Sequence, residues 1–260
     1  MSHEKPITKE NLDFYLKELA KEYRKLNGKL MPAEIILVGG AAALANYGFR
    51  NVTYDIDVII RASSAMKDAI NNVGDRFDLP NGWINTDFTK TDSYSSKLFQ
   101  YSQYYKTFSN IVSFRTVTAE YLIAMKLKSG REYKNDLSDI VGIVKAEKGL
   151  GNPLTFEKVD NAVNQLYGSR QGIDQDLIER LKSVLNLSVD RLEDLYKTLQ
   201  EREKENKKML IEFEKKYPKK LNNSNIKEVL ASMYILNTNS KIIEEINENQ
   251  VEEEDINLEI

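Results

Sequence analysis

A short β-branched run, Glu34-Ile35-Ile36-Leu37-Val38, ends at Gly39-Gly40 and gives way at once to the small-residue stretch Ala41-Ala42-Ala43-Leu44-Ala45. Apolar β-branched residues favour a strand, a glycine pair allows a bend without side-chain clashes, and an alanine run favours a helix. Strand, bend and helix in that order point to an α/β fold in which helices back a sheet. A second strand follows in Tyr54-Asp55-Ile56-Asp57-Val58-Ile59-Ile60. Its two aspartates are two residues apart, so strand geometry sends both carboxylates to one side, separated by about 6 to 7 Å along the backbone. Ile56, Val58, Ile59 and Ile60 imply that both faces of this strand are largely covered. Carboxylates there without a cation would cost several kcal/mol.

Periodicity predicts further elements on both sides. Thr8 to Leu26 reads as an amphipathic helix with Leu12, Leu16, Leu19 and Tyr23 on one face and a stop at Asn27-Gly28. Ser63 to Phe77 reads as a helix, and Leu79-Pro80-Asn81-Gly82 as a turn into a core Trp83. Lys97 to Tyr105 and Ile111 to Val117 read as two strands joined by a turn. Helices are expected from Thr118 to Ser129 and from Asn135 to the glycines at 149 and 151. The fold class is thus α/β (α+β), a mixed sheet backed by helices over 1–150, then a helical region over 151–242 and an acidic tail over 243–260. In the helical region Glu201 to Lys208 is charged nearly all round, which predicts a solvated stretch of a projecting helix hairpin. From Glu244 onward there are eight acids and no base, which predicts a frayed tail.

Composition matters for what it removes. Cysteine is absent and His3 is the single histidine. Disulfides, thiolate zinc sites and cysteine nucleophiles are excluded, and histidine-based triads and zinc sites nearly so. Chemistry has to rest on carboxylates. No apolar run approaches the roughly 18 residues of a membrane span, and the N-terminus lacks the order of a signal peptide, so the expectation is a cytoplasmic chain with no membrane partner. The net charge of −3 is uneven: residues 1–150 hold 21 Lys and Arg against 18 Asp and Glu, and the remainder 16 against 22. That is too mildly basic for tight nonspecific nucleic-acid binding, although a local groove can hold an RNA end. Tyr94, Tyr101, Tyr104 and Tyr105 with Lys97 and Lys106 read either as a base-stacking strip or as the half-buried face of a sheet.

Two neighbouring carboxylates suit a hard divalent cation, and magnesium takes carboxylate oxygens on one side and nucleotide phosphate oxygens on the other. A pair of such ions stabilises both attacking and leaving oxygens in phosphoryl chemistry. A glycine pair at the start of a helix lets backbone N–H groups approach a triphosphate. Val38-Gly39-Gly40, fourteen residues, and then Asp55-Ile56-Asp57-Val58 together resemble the signature of the DNA polymerase β-like nucleotidyltransferase superfamily. The fuller string Leu37-Val38-Gly39-Gly40-Ala41-Ala42 with Thr53-Tyr54-Asp55-Ile56-Asp57 is similar to its bacterial toxins of abortive-infection and toxin–antitoxin systems and to an uncharacterised bacterial group beside them. Leu79 to Asn85, and Glu120 to Leu127 with Arg131 and Asp136 to Ile140, resemble further segments of that group. The resemblance covers roughly residues 30 to 145.

It implies transfer of a nucleoside monophosphate from an NTP to an acceptor hydroxyl, with pyrophosphate leaving and magnesium, as two ions, for cofactor. Carried onto this chain, Gly39 and Gly40 hold the β,γ-phosphates, and Asp55 and Asp57 bind the metals as catalytic residues. Lys126 faces the triphosphate or the late carboxylate, Arg131 binds nucleotide, Asp136 joins the catalytic set, and Asp139 matches an acidic position of the late motif. The implied acceptor is a tRNA end or a protein, and the implied partner an antitoxin protein. One departure stands out: active superfamily members often carry a third carboxylate on a neighbouring strand, whereas Ile111 to Thr116 contains none. The alternatives are therefore a nucleotide-binding regulatory protein of the same fold without turnover, and a scaffold whose helical half binds a partner.

Overall fold

The structure, a computed structural model, describes residues 5–131, 134–222 and 225–235. The chain opens with β1 (Ile7–Thr8), α1 (Lys9–Asn27), β2 (Ala33–Leu37), α2 (Gly39–Asn46), β3 (Val52–Thr53) and β4 (Ile56–Arg61). It continues through α3 (Ala65–Phe77), β5 (Ile84–Asn85), α4 (Leu98–Tyr101), β6 (Ser102–Phe108), β7 (Val112–Val117) and α5 (Ala119–Ser129). Helices complete it: α6 (Asp136–Gly149), α7 (Phe156–Tyr167), α8 (Gln175–Leu185), α9 (Val189–Lys216) and α10 over 226–235.

Five strands form a mixed sheet in the order β5-β4-β2-β7-β6, and β1 pairs separately with β3. β2 runs antiparallel to β4 and parallel to β7, so the ends of β2 and β7 and the start of β4 lie at one end of the sheet. Ile35, Ile36 and Leu37 alternate sides on β2 and are all fully buried, so both faces of this central strand are covered. Leu12, Leu16, Leu19 and Tyr23 are the buried face of α1, as their spacing predicts. Trp83 is a core residue whose Nε1 donates to the carbonyl of Ile70 at 3.0 Å.

The chain compacts into two units, one of residues up to Arg131 with Asn135–Leu199, the other built on residues from Gln200. The compact unit that contains the sheet therefore does not stop near 150. Val159, Ala162, Val163, Leu166, Ile178 and Leu181 of α7 and α8 belong to the same apolar cluster as the sheet. In the second unit Met209 and Leu210 of α9 pack with Ile226 and Leu230 of α10. The Tyr234 hydroxyl donates to Asn206 Oδ1 at 2.6 Å. Most of the charged stretch 201–208 is exposed, as its composition predicts, while Glu203 and Asn206 are buried, Asn206 beneath Tyr234 of α10. The acidic tail lies outside the described residues.

Lys97 to Tyr105 is not one strand. Leu98 N–H bonds to Ser95 O at 3.1 Å and Tyr101 N–H to Lys97 O at 3.3 Å, closing the turn of α4 before β6 begins. The stretch between α2 and β3 is pinned by aromatic packing. Phe49 stacks on Tyr47 and meets Tyr196 edge-on, and its carbonyl accepts the Tyr196 hydroxyl at 3.1 Å. A Cβ added at Gly142 of α6 would lie 2.5 Å from the Phe49 ring. Gly142→Ala is expected to destabilise the fold by about 1–3 kcal/mol through overpacking. The urea midpoint measures it, and an unchanged midpoint would show that the Phe49 ring is not confined.

Candidate active site

Because Leu37 lies opposite Val58 in the antiparallel pair, the end of β2 meets the start of β4. The Val38 N–H donates to the carbonyl of Asp57 at 3.0 Å. That main-chain bond sets Asp57 beside the diglycine, with Oδ2 3.4 Å from where a Cβ on Gly39 would stand. Gly39 has φ +56°, a backbone conformation that residues other than glycine rarely adopt. Both glycines form the first turn of α2, so backbone N–H groups of a helix N-terminus open at this bend.

Gly40 faces different neighbours. A Cβ there would lie 2.8 Å from Arg50 Nη2 and 3.1 Å from Thr53 Oγ1. Thr53 in turn donates its hydroxyl to the backbone oxygen of Asp55 at 3.0 Å. The glycine pair is thus bordered by a carboxylate at Gly39 and by a guanidinium and a hydroxyl at Gly40, with Asp55 tied in through Thr53. Asp55 precedes β4 and is exposed, and Asp57 is half-buried. The desolvation expected for two carboxylates within a covered strand is therefore not what β4 imposes. Its buried residues are Ile56, Val58 and Ile59, and the aspartates stand at its open end.

The late motif folds into a buried ion network. Lys126 of α5 donates from Nζ to Asp136 Oδ1 at 2.8 Å and lies 2.7 Å from Asp139 Oδ2. Arg131 Nε reaches Asp136 Oδ2 at 2.9 Å, and Arg50 Nη1 reaches both oxygens of Asp139, at 2.9 and 2.6 Å. Burial alone would raise the Asp136 carboxyl, but Lys126 and Arg131 outweigh it and hold that group well below the usual carboxylate range. Burial alone would lower Lys126, and the two aspartates outweigh that, keeping it above the ordinary lysine value.

The fold thus gathers Lys126, Arg131, Asp136 and Asp139, but Lys126, Asp136 and Asp139 are buried away from solvent. The connection to the diglycine runs through Arg50, which sequence reasoning missed. Arg50 sits in an aperiodic loop, 89 residues from Asp139. Its one legible signal is a basic residue between the diglycine helix and the aspartate strand.

Among the described residues no group of three or more His, Cys, Asp or Glu side chains forms a metal-binding cluster. The residues that could hold magnesium, which keeps several waters and draws further oxygens from substrate phosphates, are Asp57, whose carboxylate lies beside Gly39, and Asp55 two positions before it. Where a third carboxylate would stand, β7 offers Arg115, paired in register with Ile36, and then Thr116. Thr116 is 2 % exposed, and its Oγ1 has no hydrogen-bond partner among the described residues.

A cavity of about 620 Å³ lies at the other end of α2, lined among others by Asn46, Tyr47, Thr118, Glu120, Glu147 and Gln165. Tyr47 donates to Glu147 Oε1 at 2.8 Å there, and burial followed by this carboxylate pushes the phenol well above its usual range. None of the expected site residues lines this cavity. The tyrosines of the sheet form no continuous platform. Tyr101 stacks on Tyr121, Tyr105 donates to Asp13, and Tyr94 packs edge-on to Phe88. Tyr104, 63 % exposed, is the open one of the four.

No helix among the described residues is long and apolar enough to cross a membrane. No curated protein and no solved structure matches the chain. Residues 15–165, more than half of the chain and the whole of the diglycine bend, both aspartates and the late motif, match the family described as "Nucleotidyltransferase of unknown function (DUF6036)", and the chain belongs to that family.

Proposed function

We propose that the chain transfers a nucleoside monophosphate from a magnesium-chelated NTP to an acceptor hydroxyl, releasing pyrophosphate. The observation that carries this reading is the Asp57 carboxylate, whose Oδ2 lies 3.4 Å from where a Cβ on Gly39 would stand at the N-terminus of α2, in a chain of a nucleotidyltransferase family. Backbone N–H groups at Gly39 and Gly40 receive the phosphates, and Asp55 with Asp57 holds the magnesium. Magnesium bound there would neutralise phosphate oxygens and stabilise the leaving pyrophosphate. Lys126 and Asp136 act from within the fold as positioning residues. The resemblance to bacterial toxins favours a tRNA end or a protein side chain as acceptor, and an antitoxin as partner.

The absence of a carboxylate on β7 favours a second reading, nucleotide binding without turnover, because the acceptor hydroxyl then lacks an obvious base. The full chain with magnesium chloride, each of the four α-labelled NTPs in turn, and total RNA and protein separates the two. Label on a macromolecule, abolished by a chelator, is the result expected of the transferase. A magnesium-dependent rise in melting temperature with nucleotide, without label transfer, supports the second reading. Neither effect would overturn both.

A further inference from the structure

We infer that Arg50 is a polyphosphate-reading residue of this site: it is held by Asp139 against Gly40 so that its Nη2 serves the β,γ-phosphates of the nucleotide. The inference rests on the reading of the diglycine as the nucleotide cradle and adds to it the group that distinguishes a triphosphate from a monophosphate.

The guanidinium is anchored on two of its three nitrogens. Nε donates to the carbonyl of Val52 at 3.2 Å, and Nη1 is shared by the two oxygens of Asp139. Nη2 makes no hydrogen bond among the described residues and is the nitrogen that lies closest to Gly40, 2.8 Å from where a Cβ would be. An arginine held at Nε and Nη1 keeps its plane oriented, and the Nη2 N–H groups can meet an anion with little further loss of freedom. At 14 % side-chain exposure it is shielded enough for its charge to act strongly and open enough to be reached.

Charge neutralisation of Asp139 does not by itself require Arg50. Asp139 already has the Lys126 ammonium at 2.7 Å, and Asp136 is bonded by both Lys126 and Arg131. The five side chains Arg50, Lys126, Arg131, Asp136 and Asp139 carry three positive formal charges and two negative ones. The member that touches the diglycine is a cation. A carboxylate at Gly39 and a guanidinium at Gly40 match the two ends of a metal-chelated polyphosphate, one suited to the cation and the other to phosphate oxygens. The Phe49 anchor, confined between Tyr47, Tyr196 and Gly142, fixes the backbone immediately before Arg50.

The test compares Arg50→Gln and Arg50→Lys with the unaltered full chain, by calorimetric titration with each of the four NTPs and the matching NMPs in magnesium. The expected result is a loss of NTP affinity of about ten- to a hundredfold in Arg50→Gln, with NMP affinity unchanged, so that the preference for triphosphate collapses. Arg50→Lys keeps a positive charge beside Asp139 but loses the fork, and is expected to lie between the two. It also carries the comparison if Arg50→Gln fails to fold. Variants that keep the NTP-to-NMP ratio of the unaltered chain would overturn the role of Arg50 while leaving the cradle in place. An unaltered chain that binds none of these nucleotides would overturn the cradle, and this inference with it.

Discussion

Asp57→Asn is expected to lower transfer of label from an α-labelled NTP by about 10²–10³-fold, with a similar loss in Asp55→Asn and a melting temperature within a few degrees of the unaltered chain. Asparagine preserves the shape of each side chain but removes the charge that would hold magnesium against the phosphates. The bond that fixes the bend, from the Val38 N–H to the Asp57 carbonyl, is main-chain to main-chain and survives both substitutions. Thr53 likewise holds Asp55 by its backbone oxygen. The stability cost is therefore small while the electrostatic cost is large. The magnesium-dependent thermal shift with nucleotide should vanish in parallel, because both readouts depend on the same carboxylates. Transfer at an undiminished rate by both variants would remove the bend as the site of reaction.

How much of this was legible in the sequence varies with the kind of signal. The diglycine and the paired aspartates were legible because their meaning is local: an apolar β-branched run, two residues without side chains, an alanine-rich start and a two-residue alternation each specify backbone geometry within a few positions. The environment of the aspartates was not legible. Alternation predicts that Asp55 and Asp57 point to one side, but not that β4 begins only at Ile56 and leaves Asp55 exposed before it. Arg50 was nearly silent for a related reason, since its neighbours are Gly40 on a helix and Asp139 on α6, and nothing periodic marks the loop that carries it. The charged composition of 201–208 marks a mostly exposed stretch correctly, but not the burial of Asn206, whose partner Tyr234 lies 28 residues further on. In the Lys97 to Tyr105 stretch, aromatic residues suited to a strand concealed the short turn of α4.

Asp136→Asn is expected to cost about 3–5 kcal/mol of folding stability and to lower the melting temperature by roughly 10 °C, the largest thermal effect predicted for a single substitution in this chain. The substitution removes a carboxylate that both Lys126 and Arg131 contact, and leaves Lys126, itself buried, with Asp139 as its remaining partner in the network. The pH dependence follows from the direction of the shifts. Asp136 has a lower pKa in the fold than unfolded, so its ionisation stabilises the fold above the ordinary carboxylate value near 4 and that contribution drains away as pH falls below it. Lys126 has a raised pKa, so its contribution is complete below the ordinary lysine value near 10.4 and is lost as pH rises through the folded value. The stability gap between the unaltered chain and Asp136→Asn should be widest around neutrality and should close in strong acid, where denaturant midpoints at a series of pH values would read it. A buried pair is costly to break but not always costly to replace. Lys126→Met combined with Asp136→Leu should therefore destabilise by less than the sum of the two single substitutions, because neither charge is then left buried without its partner. Additive costs in that double substitution, or a gap that does not close in acid, would mean that the Lys126–Asp136 pair is not coupled as the distances indicate, and that the late motif stabilises the fold by packing alone.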